Sequence, residues 1–133
     1  MATVDRKSKK YSDLDLFFQV HPYTRDVNKK YDVEAIKASV RNLILTKNYE
    51  RPFHPEIGSQ VTNLFFEDFS PALRMATERS IRDTIQKFEP RARLISINLI
   101  EKPDDNDITV EITFAPSNID TPVTITQTLG RLR

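Results

Sequence analysis

The chain has 133 residues, 38% of them hydrophobic, and 20 basic against 19 acidic side chains give a net charge of +1. That length suits one domain with a real core and is short for two, while the charge balance argues against wholesale disorder and against a surface dedicated to nucleic acid. The absence of cysteine excludes disulfides, thiolate metal sites and cysteine nucleophiles. No apolar run of signal-peptide or bilayer-spanning length is present, so a soluble chain outside the general secretory route is expected.

Residues 1–22 read as an N-terminal arm and docking segment, and 23–133 as a single domain. The first twelve residues carry Arg6, Lys7, Lys9 and Lys10 with almost nothing apolar, the composition of a solvated tail. Leu14, Leu16, Phe17 and Phe18 then form an apolar patch that ends at His21-Pro22, expected to dock rather than to enter the core. Tyr23 to Val27 is expected as a short extended piece. Asp32 reads as an N-cap, with Val33, Ile36, Val40, Leu43 and Ile44 at helical spacing behind it, which predicts a helix over 33–46. Pro52, Pro55 and Gly58 break the period and mark a loop over 47–59. Val61, Leu64, Phe65 and Phe69 suggest a brief helix.

Ser70-Pro71 is a strong helix start, a capping hydroxyl followed by proline at the first helical position, where a missing donor costs nothing. Leu73, Thr77, Ile81, Ile85 and Phe88 form one stripe of that helix, opposite Arg74, Glu78, Arg82 and Asp83. Leu94 to Ile100 reads as a strand with Ile95, Ile97 and Leu99 on one face. The cluster Pro103 to Asp107 is a turn, and Ile108, Val110, Ile112 and Phe114 alternate with polar residues to complete a hairpin. Val123 and Ile125 alternate with Thr124, Thr126 and Thr128 in a third strand. Helices first and an antiparallel meander after them predict an α+β domain, two main helices and a short one packed on a C-terminal sheet of about three strands.

Glu89, Pro90 and Arg91 stand where the long helix ends and the first long strand begins. A carboxylate at a helix C-terminus is disfavoured by about 0.3–1 kcal/mol unless a cation compensates. Pro90 biases Glu89 towards extended backbone, in which Glu89 and Arg91 project the same way. The carboxylate then either pairs inside the domain, with Arg91 or another arginine such as Arg51, or faces a neighbour.

Other chemistry is thin. His21 and His54 are far apart, which leaves no metal site, and two glycines cannot build a phosphate-cradling loop. Neither histidine accompanies a nucleophile elbow. Two of Glu56, Glu67, Glu78 and Glu89 would serve a glycosidase only if set across a cleft at the required spacing. Arg79, Arg82, Arg91 and Arg93 are interleaved with acids and read as a solvated face rather than a phosphate track.

Four segments in order, Leu43-Ile44-Leu45-Thr46, Arg51 to Gly58, Leu64-Phe65-Phe66-Glu67 and Phe88-Glu89-Pro90-Arg91, resemble the small baseplate wedge subunit of contractile phage tails. That family also takes in the TssE subunit of type VI secretion baseplates, and some members carry an old lysozyme label. The resemblance covers about residues 25 to 130 and departs at Lys47 to Glu50, where the family has a glycine; Asn48 is expected to take the left-handed conformation instead. It implies a nonenzymatic structural subunit without cofactor, located in the virion tail baseplate, assembled in the host cytoplasm and built into a ring-shaped hetero-oligomer. Its implied partners are other wedge proteins, whose helical core bundle would be met by Glu89, Pro90 and Arg91 together with Arg51, Pro52 and Phe53. The second implied partner is the tail sheath, whose first ring would form by strand addition at the edge Val123, Thr124, Ile125 and Thr126, unless the N-terminal segment covers that edge. No nucleic acid and no membrane is implied. The alternative is a carboxylate glycosidase acting on peptidoglycan.

Overall fold

A computed structural model describes residues 11–102, 104–105 and 107–130. Arg6, Lys7, Lys9 and Lys10 of the expected arm, and Pro103 and Asn106 of the expected turn, lie outside the described residues. The elements run β1 (Ser12–Leu14), β2 (Lys29–Tyr31), α1 (Asp32–Leu45), a 3₁₀ turn (Val61–Phe65), α2 (Pro71–Phe88), β3 (Ala92–Lys102), β4 (Asp107–Pro116) and β5 (Val123–Gly130). β3, β4 and β5 form an antiparallel meander in that order, and β1 pairs antiparallel with β2 in a separate ribbon. The molecule is an α+β fold.

Periodicity decides which faces are buried. α1 turns Ile36, Val40, Leu43 and Ile44 inward and α2 turns Thr77, Ile81 and Ile85 inward, while β4 buries Ile108, Val110, Ile112 and Phe114. Ala92, Ile97 and Leu99 of β3 and Ile125 and Leu129 of β5 complete one core between helices and sheet. α2 starts as its sequence requires: the Ser70 hydroxyl accepts the Leu73 amide at 3.2 Å, with Pro71 in the first turn. Its outer face carries the Arg74–Glu78 pair at 3.1 Å.

Several local expectations are corrected. Asp32 does not cap α1. It is the first helical residue, at φ 46°, and its carboxylate accepts the Tyr11 amide at 3.1 Å and the Asn118 side chain at 3.4 Å. The acid that would have capped the helix instead fastens the N-terminal strand to it. Ile95 is not on the core face with Ile97 and Leu99; it is 52% exposed, because β3 bulges there, pairing Leu94 with Phe114 and Ser96 with Thr113. One extra residue reverses the side-chain parity of a strand, so Ala92 and Leu94 precede the bulge on the inner face and Ile97 and Leu99 follow it. Tyr23 to Val27 is a hairpin tip rather than a strand: Val20 bridges Val27, and the His21 ring nitrogen accepts the Tyr23 and Thr24 amides, both at 3.3 Å.

Of the segment expected as an arm and docking patch, residues 11–22 are described and include β1. Along residues 12–16, Asp13 and Asp15 are the less exposed positions, while Ser12, Leu14 and Leu16 face outward. Asp15 is buried and paired with Lys30 at 3.3 Å, whereas Leu14, Leu16, Phe17 and Phe18 are exposed.

The loop over 47–59 is held at its far end. The Ser59 amide donates to the Thr46 carbonyl at 2.9 Å, the Ser59 hydroxyl donates to the Ile44 carbonyl, and the Thr84 hydroxyl donates to the Gly58 carbonyl at 2.8 Å. Left-handed backbone falls on Tyr49 and Phe53 and not on Asn48. Each is the third residue of a turn, closed by Glu50 N–H to Lys47 C=O at 3.2 Å and by His54 N–H to Arg51 C=O at 3.3 Å, the position at which a turn can demand positive φ. Gly58 has φ 149°, and a Cβ there would stand 2.6 Å from the Lys47 carbonyl carbon and 2.7 Å from the Asn48 nitrogen. Gly58→Ala is expected to lower stability by about 1–3 kcal/mol, the usual cost of forced overpacking. Chemical denaturation measures it, and a loss no larger than the scatter would show that the loop yields.

Candidate functional site

The corner between α2 and β3 is built by a turn and not by extended backbone. Glu89 ends α2 at φ −130° and ψ 71°, its amide donating to the Ile85 carbonyl, and the Ala92 amide returns to the Glu89 carbonyl at 3.1 Å. Pro90 fills the second position of that turn, where its fixed φ is favourable. The turn brings Arg91 back over Glu89, and their side chains meet in a forked pair, Nε to Oε1 at 2.6 Å and Nη2 to Oε2 at 2.9 Å.

This carboxylate is only 2% exposed. The Ser39 hydroxyl, reaching from the middle of α1, donates to Oε2 as well. Arg91 extends the cluster outward, donating to Asp13 of β1 at 3.3 Å and lying over the Tyr11 ring at 5.2 Å. Burial alone would push the Glu89 carboxyl up. The hydrogen bonds from Arg91 and Ser39 outweigh it and hold the group below 4.5. Arg91 is shifted up, chiefly by its hydrogen bond to Glu89, which outweighs the opposing effect of burial, with the charges of Glu89 and Asp13 adding to it.

Two clefts flank the cluster. The smaller, about 280 Å³, is lined by Asp13 and Ser39, both partners of the corner, together with Arg51, Asn42, Ile57 and Phe88. The larger, about 570 Å³, lies on the other side, walled by Pro90, Gln86, Arg93, Leu94, Pro116 and Asp120. The expected partner-binding residues thus separate: Glu89 is interior, Arg91 is half-buried, and Pro90 and Arg51 each border a cleft. Pro52 and Phe53 stand out on the loop, with Phe53 97% exposed. Among the described residues the hydrogen-bond partners of the Glu89 side chain are Arg91 and Ser39, not Arg51. Val123, Thr124, Ile125 and Thr126 lie on β5, one of the two edge strands of the sheet.

Sequence reasoning missed Ser39, Asp13 and Tyr11. Ser39 gives no signal, being one small polar residue in a helix. Asp13 does give one, since Tyr11, Asp13 and Asp15 alternate with Ser12, Leu14 and Leu16 in the two-residue period of a strand. Three of the four glutamates considered for glycoside cleavage are engaged within the domain. Both oxygens of Glu89 are engaged, Glu78 pairs with Arg74, and Glu56 is exposed beside His54 at 3.4 Å, its carboxyl held down first by a backbone hydrogen bond. A general acid needs the opposite shift. One cleft of about 370 Å³ does hold two carboxylates, Glu56 and Asp83. Among the described residues no three of His, Asp and Glu gather as a metal site.

The family model for baseplate wedge protein gp25 matches residues 31–118, which include α1, the loop, α2, the corner, β3 and β4. Over 120 residues the chain is 34% identical to baseplate wedge protein gp25 of Enterobacteria phage T4, covering 90% of this chain and 89% of the relative. Among solved structures it is similar to a chain of the anti-feeding prophage baseplate, with TM-score 0.72 and 25% identity over 83% of this chain and 88% of the other. The fold is shared with a chain of the type VI secretion baseplate complex, TM-score 0.61 at 14% identity over 74% and 92%. It is shared too with a putative tail lysozyme from Geobacter sulfurreducens, TM-score 0.66 at 17% identity over 74% and 89%. The chain belongs to the baseplate wedge protein gp25 family.

Proposed function

We propose that this wedge subunit is a nonenzymatic assembly part of the virion tail baseplate. It docks on the helical core bundle of other wedge proteins through the surface around the corner and gives the first sheath ring a strand edge at Val123 to Thr126. The observation that carries the docking half is the division of labour at the corner. Glu89 and Arg91 satisfy each other inside the chain, which fixes the backbone, while Pro90 and the loop Arg51, Pro52 and Phe53 remain outward around it. An aromatic side chain that is 97% exposed on left-handed backbone gains nothing from its own domain. Strain of about 1–3 kcal/mol is commonly retained where a surface is used.

The double variant Arg51→Ala with Phe53→Ala removes only exposed groups and is expected to melt like the parent. Its entry into wedge complexes, measured by co-purification with co-expressed wedge proteins, is expected to weaken by about tenfold or more, as for loss of a central anchor. Unchanged incorporation overturns the docking role of the loop.

Glu89 is assigned an internal role, and titration tests it. Because its folded pKa lies below 4.5, its contribution to stability is complete above that value and disappears as pH falls through the lowered folded pKa. Glu89→Gln is expected to lower stability at pH 7 by about 2 kcal/mol, since the Arg91 charge loses its forked partner. The gap between the two unfolding curves should close below pH 4.5; a gap independent of pH means that the ionised carboxylate contributes nothing.

The glycosidase alternative is addressed directly. Purified protein is expected to release no fragments from peptidoglycan. Release that Glu89→Gln abolishes in a folded protein would sink the structural reading, and release that Glu56→Gln or Asp83→Asn abolishes would move the chemistry to the cleft those two share.

A further inference from the structure

The two edges of the C-terminal sheet differ. β3 carries Arg93, Glu101 and Lys102 and bulges at Ile95, and charge and kinking are features that keep an edge from pairing with another chain. β5 has eight residues with no charge, no proline and no register shift against β4. Among the described residues its outer backbone groups face no strand in the order β3, β4, β5. Of the two edges, β5 is the one left open to strand addition.

A groove of about 180 Å³ follows that edge, lined by Thr124, Ile125 and Thr126 together. Successive side chains of a strand point to opposite faces, so three consecutive residues share one groove only along the edge. The facing wall belongs to α1 and its entry, with Lys30, Glu34, Lys37 and Arg41. Two of these cations are already matched, Lys30 by Asp15 at 3.3 Å and Lys37 by Glu34 at 2.9 Å. Arg41 is exposed and has no ion pair among the described residues. The excess charge of the groove is therefore one guanidinium, beside a strand that is neutral throughout. An added strand would shield that group from water, and a carboxylate is the partner its planar fork fits in two parallel hydrogen bonds.

We infer that β5 receives an extended segment with Asp or Glu on the face turned to α1, and that Arg41 selects it. The inference rests on the strand-addition reading of β5 and adds the chemistry of the incoming side chain. A segment with lysine at that place meets like charge, which rejects wrong partners as effectively as attraction recruits right ones.

The test uses three blocked octapeptides of alternating threonine and valine, carrying glutamate, glutamine or lysine at two neighbouring positions of one face. Each is titrated into the intact protein, with a binding isotherm and hydrogen exchange of the individual β5 amides as readouts. The glutamate peptide is expected to slow exchange along β5 and to bind about tenfold tighter than the glutamine peptide, the scale of one charge-assisted pair, with the lysine peptide weakest. Arg41→Gln should abolish the preference while leaving the glutamine peptide unchanged. Equal binding of the glutamate and glutamine peptides at β5 overturns charge selection and leaves strand addition standing, and a preference that survives Arg41→Gln removes Arg41 from the role. No protection of β5 by any peptide, or protection along β3 instead, overturns strand addition and this inference together.

Discussion

The fold turns on one buried carboxylate. Glu89 is taken out of water at the negative end of α2, where both desolvation and the helix dipole oppose its charge, and it persists because three separate parts of the chain converge on it. Arg91 arrives through the Pro90 turn, Ser39 from α1, and Asp13 of β1 and Tyr11 just before it reach the same guanidinium. A buried ion pair adds little net stability over apolar packing, but it is intolerant of misplacement, since either partner left alone is costly. The cluster therefore fixes relative position more than it adds free energy: α1, the end of α2, the start of β3 and the N-terminal ribbon are held in one arrangement.

The same logic of rigid support under an outward surface applies to the loop. Tyr49 and Phe53 occupy left-handed backbone that bulky side chains rarely adopt. What sustains them is the anchoring at 58 and 59, where Gly58 passes against the Lys47 backbone and Ser59 and Thr84 bind the loop to the ends of both helices. A glycine in the Lys47 to Glu50 turn would remove the strain at Tyr49. Retaining an aromatic residue there keeps a large exposed side chain at the loop base.

How much of this could be read from the chain follows from the range of each interaction. α2 is legible because its cap, its proline and its stripe are local and agree with one another, and β4 because both its neighbours leave a strict alternation intact. The Glu89–Arg91 pair is legible because it spans two residues. Ile95 misleads because a bulge costs one residue and leaves no composition signal, yet it reverses every assignment before it. Asp32 misleads because a residue well suited to capping was drawn to a partner, Tyr11, that is 21 positions away. Ser39 is 50 positions from Glu89, and nothing near it in sequence records that.

The N-terminal ribbon shows why apolar character and core membership must be kept apart. β1 points Asp13 to Arg91, and Asp15 just past its end is buried against Lys30, so two carboxylates do the holding while Leu14 and Leu16 are left facing out. In an isolated domain this is the reverse of what burial favours, since roughly 1.5–3 kcal/mol is forgone for each large apolar side chain left in water. The inversion is fixed in place by the corner, because turning the ribbon over to bury the leucines would strip Arg91 of Asp13 and Lys30 of Asp15. Ion pairs within the chain thus decide which apolar groups it hides and which it leaves available, and they do so at the corner and in the ribbon beside it.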